Sequence, residues 1–503
     1  MITINKLRRS IREGIGFIKG IGDIIDAEIV ASSNANLLTR LNYTSHIPCN
    51  GVEEPKSTES YGVGVYAVFK TTDGIKTGFG SEPGDLSLKG IRKSLDKARR
   101  NMVYDPAFKS LPHPSNEKSL LRGYHDQRLM EIKDEEIVNL GWRVLEGAIG
   151  VFNDTGVSEK IIIGGDLILI QERIAVGSTT GIDAYDETSL IMASVTSMIE
   201  GENTKGSGWA TGICMDKFYP EEAGAESARS AIATRGGERI DDGEYNVIIG
   251  RQPVTDLMNN IIIPSLTLSM IDASSSAFLG KMRKKVSAED LIIYDSGALP
   301  GGLGSKSITC EGLPTGRTDL IENGVIVGFL ANHYYSCKIL GDDEAKRKLG
   351  VDPNDYKEGF VPRNGFRFET GGGRSYRRKV GISPTNVMVD TMDEFTTEDL
   401  FQKVGNGVYI GRIWYTYPMN GLGPGDFTST IIGDSYLIKN GKLSTPIKPN
   451  TIRINDNINN LLMNITGITR DKRPTIIWAA DEVVHAPEIA MKGVKLSNIV
   501  RWN

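Results

Sequence analysis

The pattern of the chain changes at about residue 243. Before that point, long apolar segments are interleaved with amphipathic helices, whereas after Asp241-Asp242-Gly243 short strands bounded by glycine prevail. A chain of 503 residues is also too long for one ordinary hydrophobic core. The sequence therefore predicts an α+β protein with an N-terminal α/β domain over residues 1–242 and a β-rich C-terminal domain over residues 243–503.

Local signals predict individual elements within this frame. Asp73-Gly74 separates two apolar segments and is a strong signal for a β-hairpin over residues 62–79. Apolar spacing predicts helices over residues 4–19, 85–102 with Asp85 as N-cap, 133–152 and 221–233, and a meander of strands over 160–171, 172–178 and 188–200. After a strand at 245–249, Pro253 stands at a favoured first helical position and predicts a helix towards Ile271.

Charge and apolar patterning exclude two classes of partner. The net charge of −5 gives no overall positive field to hold a nucleic acid, so direct nucleic-acid binding is not expected. Charged residues such as Arg12, Glu13 and Asp23 interrupt the apolar positions near the start, where a secretory or membrane segment would need an unbroken apolar run. We expect a soluble, cytoplasmic protein with no membrane partner.

The cysteines and histidines form no local metal-binding pattern. Cys49, Cys214, Cys310 and Cys337 lie far apart without a CxxC pair, which is typical of reduced, structural thiols. His333 and Cys337 have the i, i+4 spacing that places two side chains on one helix face. Two ligands do not make a site, and the tyrosines beside them favour packing.

Several short motifs follow one another in a fixed order. In the first half, Ser178-Thr179 stands in a strand–turn–strand segment. In the second half, Leu-Pro-Gly-Gly at 299–302 precedes Cys-Glu-Gly-Leu-Pro at 310–314, Leu-Ile-Glu-Asn-Gly at 320–324 and Gly-Pro-Gly-Asp-Phe at 423–427. This order resembles that of the TldD/PmbA family of peptidase-like proteins, with Ser178-Thr179 in place of the family's Asn-Ser.

The resemblance carries expectations about fold and activity. It implies an α/β N-terminal domain, a barrel-like C-terminal domain, and dimers that enclose a cavity in which peptides are handled. In the TldD-like branch of the family, a helix that follows a strand and a G-x-x-P turn bears His-Glu-x-x-x-His, and a late Cys or His completes a zinc site.

The corresponding helix of this chain lacks the metal-binding side chains. Placing residues 250–253 on the G-x-x-P turn puts Met258, Asn259 and Ile263 at the His, Glu and His positions. A hydrolytic zinc needs about three N, S or O ligands and a nearby base, and these side chains supply neither. No histidine occurs between His125 and His333, so a shifted alignment does not restore the motif. We therefore predict no catalytic residue and no metal ligand in this chain.

This pattern resembles the TldE/PmbA branch, whose members are identified as non-catalytic partners of TldD-like subunits. The resemblance implies a heterodimer in which the TldD-like catalytic subunit holds the zinc, this chain needs no cofactor, and the pair hydrolyses unfolded or leader-bearing peptides. Two alternatives stay open. One is a stand-alone metallopeptidase with a relocated site at Glu311, His333 and Cys337, and the other is a non-proteolytic, protein-binding modulator such as the gyrase-modulating activity attached to the family.

Two further segments are candidates for contact with a peptide. The glycine-rich loop 421–426 lets another backbone approach closely, and we take Gly423, Gly425 and Asp426 as peptide-groove candidates. Alternating aromatic residues at 414–417 could line a groove or pack in an interface. Glycines 371–373 precede Arg374, Arg377 and Arg378, and we expect there a flexible loop with a solvated basic face.

Overall fold

The computed structural model of the chain describes residues 1–47, 50–117, 119, 121–202, 204–369, 373–476 and 482–499. Cys49 and glycines 371 and 372, named above, lie outside these ranges. Among the described residues, every helix is too short or too polar to span a lipid bilayer.

The first half of the chain forms a sheet of eight strands covered by helices. The order across the sheet is β5-β4-β3-β1-β6-β7-β8, with β2 paired to β1, and neighbouring strands are antiparallel. The elements are β1 (Ile24–Thr44), β2 (Gly51–Val52), β3 (Lys56–Thr71), β4 (Gly74–Pro83), β5 (Val103–Tyr104), β6 (Ile161–Ser178), β7 (Asp183–Ile199), β8 (Thr204–Gly212), α1 (Ile4–Ile18), α2 (Leu88–Arg100), α3 (Gln127–Met130), α4 (Asp134–Asp154) and α5 (Pro220–Ala233).

Most predictions for this half are confirmed, with three corrections. The Asp-Gly hairpin joins β3 to β4, and α1, α4 and α5 lie where apolar spacing placed them. The two strands predicted over 160–178 are one strand, β6, and β8 was missed. Asp85 is not the N-cap of α2: Ser87 holds that position, and the Asp85 carboxylate accepts a hydrogen bond from the Ser87 amide at 2.9 Å.

The second half contains a closed β-barrel. Its five strands are paired in the order β18-β9-β25-β21-β19, and β19 pairs with β18 to close the ring, so the predicted barrel-like domain is confirmed. The strands of this half are β9 (Gly243–Ile249), β10 (Leu291–Ser296), β11 (Arg317–Glu322), β12 (Val325–Ile326), β13 (Gly365–Phe366), β14 (Phe368–Glu369), β15 (Gly373–Arg374), β16 (Gly381–Ile382), β17 (Asn386–Thr391), β18 (Gly407–Pro418), β19 (Asp426–Lys439), β20 (Lys442–Pro446), β21 (Ile452–Asn457), β22 (Ile465–Ile468), β23 (Arg473–Thr475), β24 (Val483–Ala486) and β25 (Ile489–Asn498).

A second sheet, β12-β11-β10-β17-β24-β23, packs beside the barrel together with short helices. The first barrel strand begins at residue 243, while the boundary between domains at 242 and 243 stays a prediction. The helices are α6 (Arg251–Leu257), α7 (Ile263–Ser265), α8 (Leu268–Asp272), α9 (His333–Leu340), α10 (Ala345–Leu349), α11 (Thr397–Val404) and α12 (Ile458–Met463).

The single helix predicted from Pro253 to Ile271 is wrong. The segment begins as α6, continues through a π-helical turn over Met258–Ile262 into α7, and breaks before α8. Pro264 has no N–H to continue the hydrogen-bond ladder, and Thr267 is extended and serves as the N-cap of α8.

The two faces of strand β1 contact different parts of the chain. Ala27, Ile29 and Ala31 belong to the apolar core formed with α1 and α2. The alternate residues face the second half of the chain. Val30 packs against Phe366 and Tyr376, and Glu28 forms an ion pair with Arg367. The Ser32 hydroxyl accepts a hydrogen bond from the Tyr376 amide, and the Asn34 side-chain amide donates one to the Arg374 carbonyl. Because successive side chains of a strand point to opposite faces, β1 packs against its own helices on one face and against the second half of the chain on the other.

A buried ionic network fixes this junction. The Arg374 guanidinium is fully buried, with Nη1 2.8 Å from Asp186 Oδ2 and Nε 3.4 Å from Glu172 Oε2. Lys306 Nζ lies 2.9 Å from the same Glu172 oxygen. Burial alone would raise the pKa of Glu172, but Lys306 and Arg374 hold it well below its usual range. The solvated basic face predicted after the glycines is therefore wrong for Arg374.

Removing the Arg374 charge should destabilise the protein strongly. In Arg374→Gln, Glu172 and Asp186 lose their shared cation while still buried, and we expect a loss of about 3–5 kcal/mol in the free energy of unfolding, measured by urea denaturation. The control is Arg377→Gln, whose side chain is 47% exposed, with an expected change within about 0.5 kcal/mol. Equal losses in the two variants would contradict a structural role for the network.

Candidate functional site

The interrupted helix at 251–272 forms one wall of a cavity of about 180 Å³. Asn259, Ile263 and Pro264 contribute from the helix, Ile382, Ser383 and Pro384 from the loop that leads to β17, and Glu482 from the segment before β24. This is the position at which the family resemblance places a zinc site.

The backbone of this helix has a geometry that suits an i, i+5 pair of ligands. In a π-helical turn, residues five apart lie one above the other, because the hydrogen bonds run from i to i+5. The π turn over Met258–Ile262 therefore aligns position 258 with position 263. An ordinary α-helix would turn these two side chains away from each other.

The side chains at these positions do not fit a hydrolytic zinc. Met258 is 2% exposed and, with Ile263, belongs to the apolar core of the second half of the chain. Asn259 has no basic group to take a proton from water. Across the described ranges, no three His, Cys, Asp or Glu side chains come together as metal ligands. The helix keeps a suitable backbone but carries apolar and amide groups.

The amide of Asn259 lacks a hydrogen-bond partner. Its Nδ2 and Oδ1 atoms are both buried and make no hydrogen bond to any described residue, although Asn259 lines the cavity. An unpaired buried amide costs about 1–3 kcal/mol, so a ligand that satisfies it gains that interaction. One donor and one acceptor side by side match a peptide group. The Asn259 amide therefore gives the cavity an unsatisfied donor and acceptor of the kind that a peptide group would pair with.

A buried carboxyl group supports the loop on the far side of this cavity. Asp295 accepts hydrogen bonds from the Thr385 amide at 2.7 Å, the Thr385 hydroxyl at 3.0 Å and the Asn364 side chain at 2.6 Å. Burial raises the pKa of Asp295 to about 7, against the opposing effect of these bonds. Asp295 thus fixes the residues that follow Pro384 and lies outside the cavity lining.

A second cavity, of about 250 Å³, lies between the two halves of the chain and is lined by two of the three residues of the relocated-site hypothesis. Glu311 and His333 both line it, and both Glu311 oxygens lie within 3.2 Å of the His333 backbone amide. His333 Nε2 lies 3.3 Å from the Ser110 hydroxyl and 3.6 Å from Cys337 Sγ. The structure therefore brings these three candidates together.

The protonation states of this cluster do not supply an activated nucleophile. Burial raises the pKa of Glu311 to about 8, so at neutral pH its carboxyl group is mostly uncharged. Burial also raises the pKa of the Cys337 thiol and lowers the pKa of the His333 ring, which favours a neutral thiol beside a neutral imidazole. Cysteine catalysis needs the thiolate. These pKa directions disfavour a cysteine nucleophile, and the relocated metallopeptidase site stays a hypothesis.

The three peptide-groove candidates lie in the turn that joins β18 to β19. Gly423 is exposed, and Gly425 has a left-handed backbone with φ +81°. The carboxylate of Asp426 accepts a hydrogen bond from the Asn457 side chain at 2.8 Å, which ties the turn to the start of α12. None of the three lines either cavity described above. Their contact with a peptide stays a prediction.

The raised pKa of Glu311 makes a testable contribution to stability. Its pKa lies near 8 in the folded protein and near 4.5 in the unfolded chain, so its stabilising contribution is present below about pH 4.5 and is lost as the pH rises to about 8. In Glu311→Gln, the amide oxygen still accepts from the His333 amide. We expect this variant to be more stable than wild type at pH 8, by up to about 4 kcal/mol, and similar at pH 4.5.

Urea titrations at several pH values measure this difference, with the exposed Glu322→Gln as the matched control. Some pH dependence remains in Glu311→Gln, because burial also raises the pKa of Asp295 and of Asp434. A wild type and a Glu311→Gln variant with parallel pH profiles would contradict the assignment.

Comparison with known proteins identifies the family. A model of the PmbA/TldA metallopeptidase C-terminal domain matches residues 242–498, and a model of domain 1 of the same metallopeptidases matches residues 50–101. An uncharacterized protein of Methanocaldococcus jannaschii is 24% identical over 389 residues, which cover 77% of this chain and 80% of the relative. A metalloprotease TldD homolog of Buchnera aphidicola is 25% identical over 418 residues, with 80% and 78% covered.

Solved structures share the fold. The crystal structure of TldE from Thermococcus kodakarensis matches with a TM-score of 0.77 and 16% identity, over 98% of this chain and 100% of that one. A Bacteroides thetaiotaomicron protein described as a candidate modulator of DNA gyrase matches with a TM-score of 0.75 and 17% identity, over 99% and 100%. The two family-model matches, over residues 242–498 and 50–101, establish that the chain belongs to the PmbA/TldD metallopeptidase family.

Proposed function

We propose that this chain is the non-catalytic, TldE-type subunit of a two-subunit zinc metallopeptidase that hydrolyses unfolded or leader-bearing peptides. A TldD-type partner supplies the zinc, its ligands and the base, and this chain supplies part of the peptide-binding surface. The observation that carries the proposal is the side-chain chemistry of the helix over residues 251–265, where Met258, Asn259 and Ile263 stand in place of metal-binding groups.

The unpaired amide of Asn259 supports the peptide-binding part of the proposal. A chain that had only lost catalysis could fill this position with an apolar side chain, as it has at 258 and 263. An amide without a partner lowers stability, so its presence favours a function in binding. A cytoplasmic location belongs to the same proposal, because Cys214, Cys310 and Cys337 are free thiols, as expected in a reducing compartment.

Mixing experiments test the subunit role. The purified chain should contain less than stoichiometric zinc and should not cleave an unfolded peptide by itself. Added to a TldD-type protein from the same genome, it should form a heterodimer in gel filtration and raise peptide hydrolysis, as followed by mass spectrometry. Stoichiometric zinc with cleavage by the chain alone would overturn the proposal in favour of the site at Glu311, His333 and Cys337. Two homodimers that never mix would also overturn it.

A substitution at Asn259 tests the contribution of this chain to peptide binding. Asn259→Leu removes the unpaired amide, so the free energy of unfolding should stay equal or rise by about 1 kcal/mol. In the mixed preparation, kcat/KM for the peptide should fall about tenfold, because one hydrogen bond to the bound peptide is lost. The control is Asn153→Leu, the same change at an exposed position of α4. Unchanged hydrolysis with Asn259→Leu would remove this cavity from the peptide path.

A further inference from the structure

A third cavity, of about 260 Å³, lies between the edge strand β8 and the barrel strands β18 and β19. Lys205 and Ser207 line it from β8, and Arg412, Trp414 and Tyr415 line it from β18. Arg412 is paired in register with Gly433 of β19, a residue whose missing side chain leaves space beside the guanidinium. The cavity therefore combines two cations with two aromatic rings.

The guanidinium of Arg412 makes no direct ion pair within the described structure. Its Nε is buried without a hydrogen-bond partner, and no described carboxylate lies within 4.0 Å of the group. The side chain as a whole is half-buried. Burial lowers the pKa of Arg412, against the opposing effect of the more distant carboxylates of Asp434, Glu226 and Asp256. Arginine presents a rigid fork of donors that matches a carboxylate in two parallel hydrogen bonds.

The carboxylates nearest to Arg412 are engaged elsewhere. Both oxygens of Glu226 bind Arg473, at 3.0 and 2.9 Å. Asp256 accepts from the hydroxyl of Thr416 and the side chain of Asn260. Asp434 accepts from the hydroxyl of Ser230, and burial raises its pKa to about 7 despite Arg412, so much of it is uncharged at neutral pH. The charged side chains that line the cavity, Lys205 and Arg412, are both cations.

The aromatic wall is held in a strained conformation. Tyr415 has φ +56°, a left-handed conformation that a bulky residue rarely adopts, within an irregularity of the β18–β19 pairing. Strain of this kind costs about 1–3 kcal/mol and tends to persist where it serves a function. It leaves Tyr415 71% exposed, with its ring 5.8 Å from the Trp414 ring in an edge-on arrangement. Exposed aromatics beside an arginine are typical of binding surfaces.

We propose that this cavity binds the free C-terminal carboxylate of a peptide whose last residue is apolar or aromatic. The carboxylate binds the Arg412 guanidinium, with Lys205 as a second, exposed cation at the rim. The side chain of the last residue packs against Trp414 and Tyr415. The inference rests on the peptide-handling part of the proposed function and narrows the ligand to peptides with a free carboxyl end.

The probe is acetyl-Ala-Ala-Phe, compared with the same tripeptide as its C-terminal amide. Binding to the full-length chain without its partner is measured by calorimetry and by tryptophan fluorescence. The carboxylate form should bind at least tenfold more tightly than the amide. Arg412→Gln should weaken binding of the carboxylate form at least tenfold and leave the amide unaffected. The charge-matched control, Arg470→Gln, removes an exposed guanidinium outside the cavity and should bind as wild type.

Melting temperatures check the fold of this variant. Arg412 interacts electrostatically with Asp434, Glu226 and Asp256, so Arg412→Gln and wild type are compared at a temperature at which both are fully folded. Tyr415→Gly should relieve the positive φ and weaken acetyl-Ala-Ala-Phe binding more than acetyl-Ala-Ala-Ala binding.

Three results would overturn the inference. These are equal binding of carboxylate and amide, no binding at millimolar peptide, and wild-type binding by a folded Arg412→Gln variant. A variant that binds the tripeptide normally but no longer associates with a TldD-type protein would instead assign Arg412 to the subunit interface. Because the tripeptide experiment uses the isolated chain, its failure leaves the mixing test of the subunit role unaffected.

Discussion

The ionic network around Arg374 is the interaction on which the arrangement of the two halves depends. Arg374 arrives from the second half of the chain and meets Glu172 and Asp186 on two strands of the first sheet. Without it, Asp186 would lose this cation and Glu172 would keep only Lys306. Along the same junction, the Glu28–Arg367 pair and the neutral carboxyl group of Glu311 lie beside the cavity between the halves. The burial that raises the pKa of Glu311 is thus a consequence of how the halves are joined.

The helix over residues 251–265 combines an irregular backbone with apolar packing. Met258 and Ile263 flank the end of the π turn and belong to the core that holds the barrel and the second sheet together. Packing against this core therefore stabilises the segment. The same helix presents the polar side chain of Asn259 to the cavity.

Local signals in the sequence predicted individual helices, strands and turns. They did not predict contacts between residues far apart in the chain. The Asp-Gly turn, the apolar spacing of α1, α4 and α5, and the glycine-bounded strands of the barrel act within a few residues, so they could be read directly. The break in the predicted helix had a local signal in Pro264, which lacks the N–H that an uninterrupted helix needs. The burial of Arg374 had no local signal in the sequence. A run of basic residues has the same pattern whether it is solvated or paired with a carboxylate 188 residues away. Glu311 and His333 meet across 22 residues for the same reason.

Asn259 and Arg412 each carry a buried polar atom without a hydrogen-bond partner in the described structure, and both side chains line cavities. Buried polar groups in folded proteins are paired in the great majority of cases, so such exceptions need a physical reason. Asn259 offers a donor and an acceptor, which suit a peptide group, and Arg412 offers a fork of donors, which suits a carboxylate. An unfolded peptide with a free carboxyl end carries both groups. The chemistry of the two sites therefore favours an extended peptide as their common ligand.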